Sequence, residues 1–166
     1  FKREAGTLSD LHHQAIVRYL AYVPPSDTLN LHALVMGFIE GTKLSDHIKH
    51  VGALSVNEIC VLFSRLADGM AAAHEIGVVH RDLSPDNVML PDGNVAKAVL
   101  IDFGIASSQV KDVTLGNEFA GKLKYVSPEQ LGAFGGEADA RSDIYSMGLL
   151  MITAATGQAT AMGNTI

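Results

Sequence analysis

The sequence has little cysteine, with one such residue in 166. A single cysteine excludes a disulfide within the chain, which agrees with a reducing compartment, so we expect a cytoplasmic protein. Cys60 lies in an apolar stretch with helical periodicity. Because buried thiols are commoner than reactive ones in such stretches, we expect Cys60 to be a buried structural residue.

Basic clusters and long apolar runs are also lacking. Twelve Lys and Arg residues stand against 18 Asp and Glu residues, for a formal net charge of −6, which argues against nucleic acid as a partner. Residues 149–162 form the most apolar tract near the end of the chain, but they include Thr, Gln and Gly and are too few for a membrane span. The first residues contain no apolar segment of the secretory type. We therefore expect neither nucleic acid binding nor a membrane span within this segment.

What the sequence does have is a hydrophobic content of 48%, enough for a substantial core. We expect one domain or a large part of one. The chain starts at Phe1 inside a helical pattern rather than at a methionine, so we expect it to be a fragment of a longer protein.

Apolar periodicity and turn residues predict a mixed order of helices and strands. Ser55, followed three residues later by Glu58, has the pattern of a capping box at a helix start. Residues 107–124 lack periodicity and are predicted to form a mobile loop, whereas residues 142–155 are apolar nearly all round and are predicted to be a buried helix. The predicted elements, in chain order, are a helix over 1–13, strands over 16–23 and 29–39, helices over 44–51 and 55–74, strands over 87–90 and 98–101, and the helix over 142–155.

Two short motifs place two carboxylates and a carboxamide near one another. The first motif, at residues 80–87, contains Asp82 and Asn87, and the second is Asp102-Phe103-Gly104. Asp82 is suited to accept a hydrogen bond from an incoming hydroxyl, while the side-chain oxygens of Asn87 and Asp102 are ligands that Mg²⁺ prefers. Each motif taken alone has a plainer explanation, since Asp-Phe-Gly is also an ordinary turn after a strand and His-Arg-Asp alone is a weak match.

Together with Ser127-Pro128-Glu129 and residues 142–148 downstream, the order and spacing of these motifs resemble eukaryotic-type protein kinases, most closely bacterial-type serine/threonine kinases. The resemblance covers essentially all of the chain. It implies an α+β protein-kinase-like fold with part of a small β-rich lobe over residues 1–37, a hinge over 38–41, and part of a helical lobe over 42–166. It also implies transfer of the γ-phosphoryl group of ATP, with Mg²⁺, to Ser or Thr hydroxyls of protein substrates.

The same resemblance assigns roles to single residues. Asp82 is the group that orients the substrate hydroxyl, Asn87 and Asp102 bind the metal, and Asp143 accepts backbone amides of the His-Arg-Asp loop. Leu8, Tyr19, His80 and Phe103 form an apolar column between the lobes. The remaining residues that the resemblance assigns to ATP binding are Glu4, Met36 as gatekeeper, the backbone of Gly37 and Ile39, and Met89. From the residues alone, Met36 is an ordinary core methionine.

Arg81, beside Asp82, is typical of kinases that are switched on by phosphorylation of the activation segment, where an Arg receives the phosphate. The candidate acceptors are Ser107, Ser108 and Thr114, of which Thr114 is the best placed. The alternative stays open, because loops are rich in Ser and Thr and other routes to activation exist.

The sequence departs from the family at two positions. Ser84 stands where most Ser/Thr kinases have a lysine that contacts the γ-phosphate, and Lys122 stands where the family has a threonine near the catalytic Asp. One hypothesis is that Lys122 reaches back across the cleft and supplies the missing charge, with Ser84 as its neighbour. The alternative is that Lys122 is a solvated loop residue and the enzyme is weak.

The resemblance also indicates missing parts. The glycine-rich loop and the lysine that pairs with Glu4 would lie before Phe1, and the arginine that pairs with Glu129 would lie after Ile166. We therefore expect Glu129 to be buried and unpaired, and the segment by itself to be inactive. A pseudokinase that keeps the fold as a scaffold remains the alternative, although retention of all three magnesium-site groups argues against it. A small-molecule phosphotransferase is a second alternative, and Ser127-Pro128-Glu129, which positions peptides, argues against that one.

Overall fold

The computed structural model describes residues 2–25, 31–103, 123–133 and 138–159. Its helices and strands follow the predicted order, except for a short strand at Thr42–Lys43 that was not predicted. The helices are α1 (Lys2–Asp10), α2 (Leu44–Val51), α3 (Val56–Glu75) and α4 (Ala140–Thr156), and the strands are β1 (Tyr19–Val23), β2 (Ala33–Met36), β3 (Thr42–Lys43), β4 (Val88–Leu90) and β5 (Val99–Leu100). Short 3-10 turns lie at Pro85–Asn87, Pro91–Gly93, Val95–Lys97, Leu123–Tyr125 and Glu129–Leu131. Within the described ranges no helix is both long enough and apolar enough to span a membrane.

Two small antiparallel sheets organise these elements. Strands β1 and β2 pair as a hairpin, in which Tyr19 lies opposite Met36. Strand β4 lies between β3 and β5 in the second sheet, and the chain reaches β5 from β4 through the turn that Pro91 begins. The amide of Val17 donates to the carbonyl of Leu100 and the amide of Leu100 donates to that of Ala15, so the segment before β1 is tied to the second sheet.

Helix α3 has the predicted N-terminus. Ser55 accepts a hydrogen bond from the amide of Glu58, and the Glu58 carboxylate accepts one from the amide of Ser55 at 2.9 Å, which completes the capping box. The apolar face of α3 packs in the core through Leu62, Leu66 and Met70. This face supports the loop that follows the helix and that contains Asp82.

The burial of Cys60 was predicted wrongly. Cys60 is exposed, because it lies on the side of α3 away from Leu62, Leu66 and Met70. An apolar run with helical periodicity contains residues on both faces, and the run alone does not tell which arc the core covers.

The prediction that residues 142–155 form a buried helix is confirmed for one face and wrong for the other. Helix α4 buries Asp143, Met147, Leu150 and Ala154, but four apolar residues of its other face are between 40% and 59% exposed. These are Ile144, Tyr145, Met151 and Ile152. Within the described residues, α4 is covered on one side only.

Gly41 allows the chain before β3 to approach β4 closely. A Cβ atom at this position would overlap the carbonyl oxygen of Leu90 and would lie 2.9 Å from the nitrogen of Pro91. Both neighbours are backbone atoms, so a side chain here would force the two segments apart. The approach keeps β3 in register with β4, where Thr42 pairs with Leu90.

Replacing Gly41 with alanine should therefore lower the free energy of unfolding by about 1–3 kcal/mol, the usual cost of inserting a methyl group where there is no room. Urea unfolding measures the change. Gly148→Ala is the matched control, because no described residue apart from the backbone of its own helix lies within 4 Å of the Cβ position on this glycine. The control should gain up to about 1 kcal/mol from helix propensity. Equal stability of Gly41→Ala and the parent protein would show that the close approach is unimportant.

Candidate active site

The loop after α3 brings Asp82 and Asn87 into direct contact. The amide nitrogen of the Asn87 side chain donates to the backbone oxygen of Asp82 at 2.7 Å and to its carboxylate Oδ2 at 3.0 Å. Asn87 is buried, whereas Asp82 is partly exposed. The side-chain nitrogen of Asn87 donates both of these hydrogen bonds to Asp82. The Oδ1 atom of Asn87 is therefore the side-chain atom that can coordinate a cation.

The β4–β5 hairpin brings Asp102 to the same end of the sheet. Val88 pairs with Leu100 in this hairpin, and the amide of Ile101 donates to the carbonyl of Asn87 at 3.0 Å. Asp102 therefore directly follows Ile101, the last residue of the hairpin that is hydrogen-bonded to Asn87. Asp102 is exposed and has a φ of 56°, a left-handed conformation that is uncommon for residues other than glycine and that clusters at functional sites.

Asp82, Asn87 and Asp102 fit the donor set that Mg²⁺ uses. Magnesium is held by one or two carboxylates together with substrate phosphates and water, rather than by a cage made of protein alone. The described parts of the chain contain no group of three or more His, Cys, Asp or Glu side chains that could hold a metal ion. The donor set therefore suits a metal ion that is shared with a bound nucleotide.

His80 is held between the two motifs. Its ring is buried and lies 4.5 Å from the ring of Phe103, measured between centroids. Burial lowers the pKa of His80, so the ring is neutral at neutral pH. With Nε2 donating to the carbonyl of Ile101 at 3.1 Å, Nδ1 accepts from the amide of Asp82 at 3.3 Å. A neutral His80 thus links the Asp82 loop to the strand that leads to Asp102.

Tyr19 joins the same buried group from the first hairpin. Its hydroxyl accepts a hydrogen bond from the amide of Phe103 at 3.1 Å. Burial, opposed by this bond, raises the pKa of Tyr19 to about 12, so the hydroxyl stays protonated. Leu8, on α1, is buried in the same core. The expected apolar column of Leu8, Tyr19, His80 and Phe103 is thus a set of buried core residues.

Asp143, at the start of α4, anchors the Asp82 loop, as predicted. One carboxylate oxygen accepts from the amide of Arg81 at 2.8 Å, and the other accepts from the amide of His80 at 2.9 Å. The second oxygen also contacts Nε2 of His74 at 2.8 Å. These partners satisfy a carboxylate whose side chain is 1% exposed, which is the condition for keeping a buried charge.

The residues predicted to bind ATP lie on several elements. Glu4 is on α1 and Met89 is on β4, where it pairs with Lys43. Met36 ends β2 and packs against the core, as the plainer interpretation of an ordinary core methionine also requires. The amide of Gly37 donates to the carbonyl of Arg18 at 2.8 Å. The carbonyl of Gly37 is therefore the backbone group of this residue that can form a hydrogen bond with a nucleotide base. Ile39, two residues later, is partly buried.

Ser84 is almost completely buried, with 2% of its surface exposed. Its hydroxyl has no hydrogen-bond partner among the described residues. Lys122 and the three candidate phosphorylation sites, Ser107, Ser108 and Thr114, lie outside the described residues.

Glu129 differs from the prediction. It is only partly buried, and its carboxylate accepts a hydrogen bond from the hydroxyl of Ser142 at 2.7 Å, which lowers the pKa of Glu129. The expected burial without a partner was therefore wrong. The buried Ser142, on α4, provides a polar contact that its place in the sequence did not predict.

Sequence reasoning missed Gln130. Its side-chain nitrogen donates to the backbone oxygen of Arg81 at 2.7 Å, across 49 residues of sequence. Arg81 itself is partly buried and has a φ of 62°. Nothing in the local pattern around Gln130 indicates this contact, because it depends on how residues 127–131 approach the Asp82 loop.

Comparisons with known proteins agree with this geometry. The family model described as "Protein kinase domain" matches residues 1–165. The chain is 39% identical over 95% of its length to the serine/threonine-protein kinase pkn2 of Myxococcus xanthus, and 34% identical over 95% of its length to the serine/threonine-protein kinase PrkC of Bacillus subtilis. It spans 19% and 24% of these two relatives.

A solved structure supports the fold. The crystal structure of Rad53 in complex with AMP-PNP superposes with a TM-score of 0.77 and 28% identity, over 99% of this chain and 39% of that one. This likeness confirms the predicted α+β kinase-like fold, whereas the lobe and hinge boundaries stay predictions. With the motifs, the loop geometry and the family match in agreement, the chain belongs to the protein kinase family and is similar to its bacterial serine/threonine members.

Proposed function

We propose that the protein containing this chain transfers the γ-phosphoryl group of ATP to serine or threonine hydroxyls of protein substrates. The observation that carries the proposal is the contact of Asn87 with Asp82, together with the hydrogen bond of Ile101 to Asn87, which puts Asp102 at the same end of the β4–β5 hairpin. The names of the bacterial relatives support Ser and Thr as acceptors.

In the proposed reaction the substrate hydroxyl oxygen attacks the γ-phosphorus, the bond from that phosphorus to the bridging oxygen breaks, and ADP leaves. Asp82 accepts the hydrogen bond of the hydroxyl, aligns its oxygen and receives the proton. Asn87 and Asp102 would hold Mg²⁺, which neutralises charge on the phosphates when bound. The contacts of Asp143 and His80 keep the Asp82 loop in place for this alignment.

ATP binding is proposed to use the residues assigned by family resemblance. Glu4 would pair with a lysine that grips the phosphates, and the Gly37 carbonyl and Ile39 backbone would bond the adenine between Met36 and Met89. The Gly37 amide is already bonded to Arg18, which leaves its carbonyl for the base.

Regulation is proposed to involve Arg81. A phosphate on Thr114, or on Ser107 or Ser108, would pair with its guanidinium group and order the activation segment. Two further expectations stay proposals. Cytoplasmic location is supported by the single cysteine, and protein rather than nucleic acid partners are supported by the net charge of −6.

Incubation of the full-length protein with radiolabelled ATP tests the function. We expect label on Ser and Thr of the protein itself or of casein, loss of labelling with a chelator, and recovery with added Mg²⁺, because phosphoryl transfer needs the metal to neutralise charge. Phosphoamino acid analysis identifies the acceptor. A protein that binds ATP and Mg²⁺ but gives no labelling would favour the pseudokinase alternative instead.

A further inference from the structure

Gln130 joins two segments that are far apart in sequence. Its Nε2 donates to the backbone oxygen of Arg81 at 2.7 Å. Its Oε1 accepts from the amide of Ser127 at 3.2 Å and from the hydroxyl of Ser127 at 3.0 Å. One carboxamide therefore connects the Ser127-Pro128-Glu129 segment with the residue that precedes Asp82.

The polarity of these bonds fixes the orientation of the amide. Both Ser127 groups are donors to Gln130, so the oxygen of the carboxamide faces Ser127 and the nitrogen faces Arg81. A glutamate would keep the contacts with Ser127, but it would place a carboxylate oxygen against the Arg81 carbonyl, so that two acceptors would face each other. The contact with Arg81 thus requires a donor on the side chain at position 130.

The backbone conformation of Arg81 is held by hydrogen bonds to its amide and to its carbonyl. Its φ of 62° is a conformation that residues other than glycine keep only where the surroundings fix it. Asp143 accepts from its amide at 2.8 Å, and Gln130 donates to its carbonyl. That carbonyl belongs to the peptide group that joins Arg81 to Asp82, so its orientation sets the direction in which the Asp82 side chain leaves the loop.

We propose that Gln130 is a positioning residue for phosphoryl transfer. It orients Asp82 by donating a hydrogen bond to the carbonyl of the Arg81–Asp82 peptide. The inference rests on the proposed function, in which Asp82 aligns the substrate hydroxyl. Gln130 itself does not contact the reacting atoms.

Two substitutions in the full-length protein separate the two halves of the amide. Gln130→Glu keeps the acceptor for Ser127 and removes the donor to Arg81, whereas Gln130→Lys keeps a donor and removes the acceptor. We expect Gln130→Glu to lower kcat about 10- to 100-fold, because a small misplacement of a catalytic group has effects of this size. Gln130→Lys should stay within about threefold of the parent protein. The KM for ATP should change less than about twofold in both variants.

Gln158→Glu is the charge-matched control, since Gln158 is exposed beyond the end of α4. A merely structural role for Gln130 would lower the melting temperature of both Gln130 variants and leave kcat per folded molecule unchanged. Rates are therefore normalised to the concentration of nucleotide-binding sites. Hydrogen exchange of the peptide that contains residues 80–84 gives a second readout, and it should quicken in Gln130→Glu and not in the control.

Two kinetic results would overturn the inference: a parental kcat in Gln130→Glu, or equal losses in Gln130→Glu and Gln130→Lys. If the parent protein transfers no phosphoryl group, the proposed function fails. Hydrogen exchange then tests separately whether Gln130 holds the Arg81–Asp82 peptide. Unchanged exchange at residues 80–84 in Gln130→Glu would overturn the positioning role independently of activity.

Discussion

Replacing Asp82 with asparagine should lower the rate of phosphoryl transfer by about 10²- to 10⁴-fold, the usual contribution of a positioned acid or base. Asparagine has the same shape, and its side-chain oxygen can still accept the hydrogen bond that Asn87 donates at 3.0 Å. What is lost is the negative charge that orients the substrate hydroxyl and receives its proton. The loss should therefore appear in kcat, measured with saturating ATP and protein substrate.

The fold should tolerate this change, because Asp82 is partly exposed and its amide stays bonded to His80. Asp92→Asn is a suitable control. Asp92 is exposed and pairs with Lys97 at the surface, and such a pair contributes little to stability. The control should keep the parental rate. Turnover above a tenth of the parental rate in Asp82→Asn would mean that Asp82 does not carry the chemistry.

Replacing Lys122 with threonine should lower turnover by about 10²- to 10³-fold, the effect of removing one group that stabilises charge in the transition state. The reason lies at Ser84, which stands where the family has a cation. Its hydroxyl is buried with no hydrogen-bond partner among the described residues. The hypothesis is that Lys122 supplies the missing charge, with Ser84 as its neighbour. Steady-state rates at several ATP concentrations measure the loss.

The double variant Ser84→Lys with Lys122→Thr should recover most of the lost activity, because it returns both residue types to the family arrangement. Recovery beyond the sum of the single effects is the sign that two positions are coupled. Lys124→Thr is the matched control, since it removes a neighbouring lysine and should leave turnover unchanged. Normal activity in Lys122→Thr alone would refute the exchange of roles and leave Lys122 as a solvated loop residue.

Much of the candidate site was predictable from sequence because its residues are close together along the chain. Asp82 and Asn87 are five residues apart on one loop, and Asp102 follows a short hairpin whose turn residues are visible in the sequence. The capping box at Ser55 is likewise local, since a helix start needs only nearby side chains to satisfy its free amides. Resemblance to the kinase family added the role of Asp143, which periodicity alone does not reveal.

Sequence by itself thus determined the loop of Asp82 and the order of the elements other than β3, and it predicted the donor set for magnesium. Tertiary structure alone decided that Cys60 is exposed, that one face of α4 is uncovered within the described residues, that Glu129 bonds to Ser142, and that Gln130 holds Arg81. The physical reason is the range of the interactions. Helical periodicity fixes which residues share a face but not which face meets a neighbour, and a hydrogen bond between distant segments exists only after the core has brought them together.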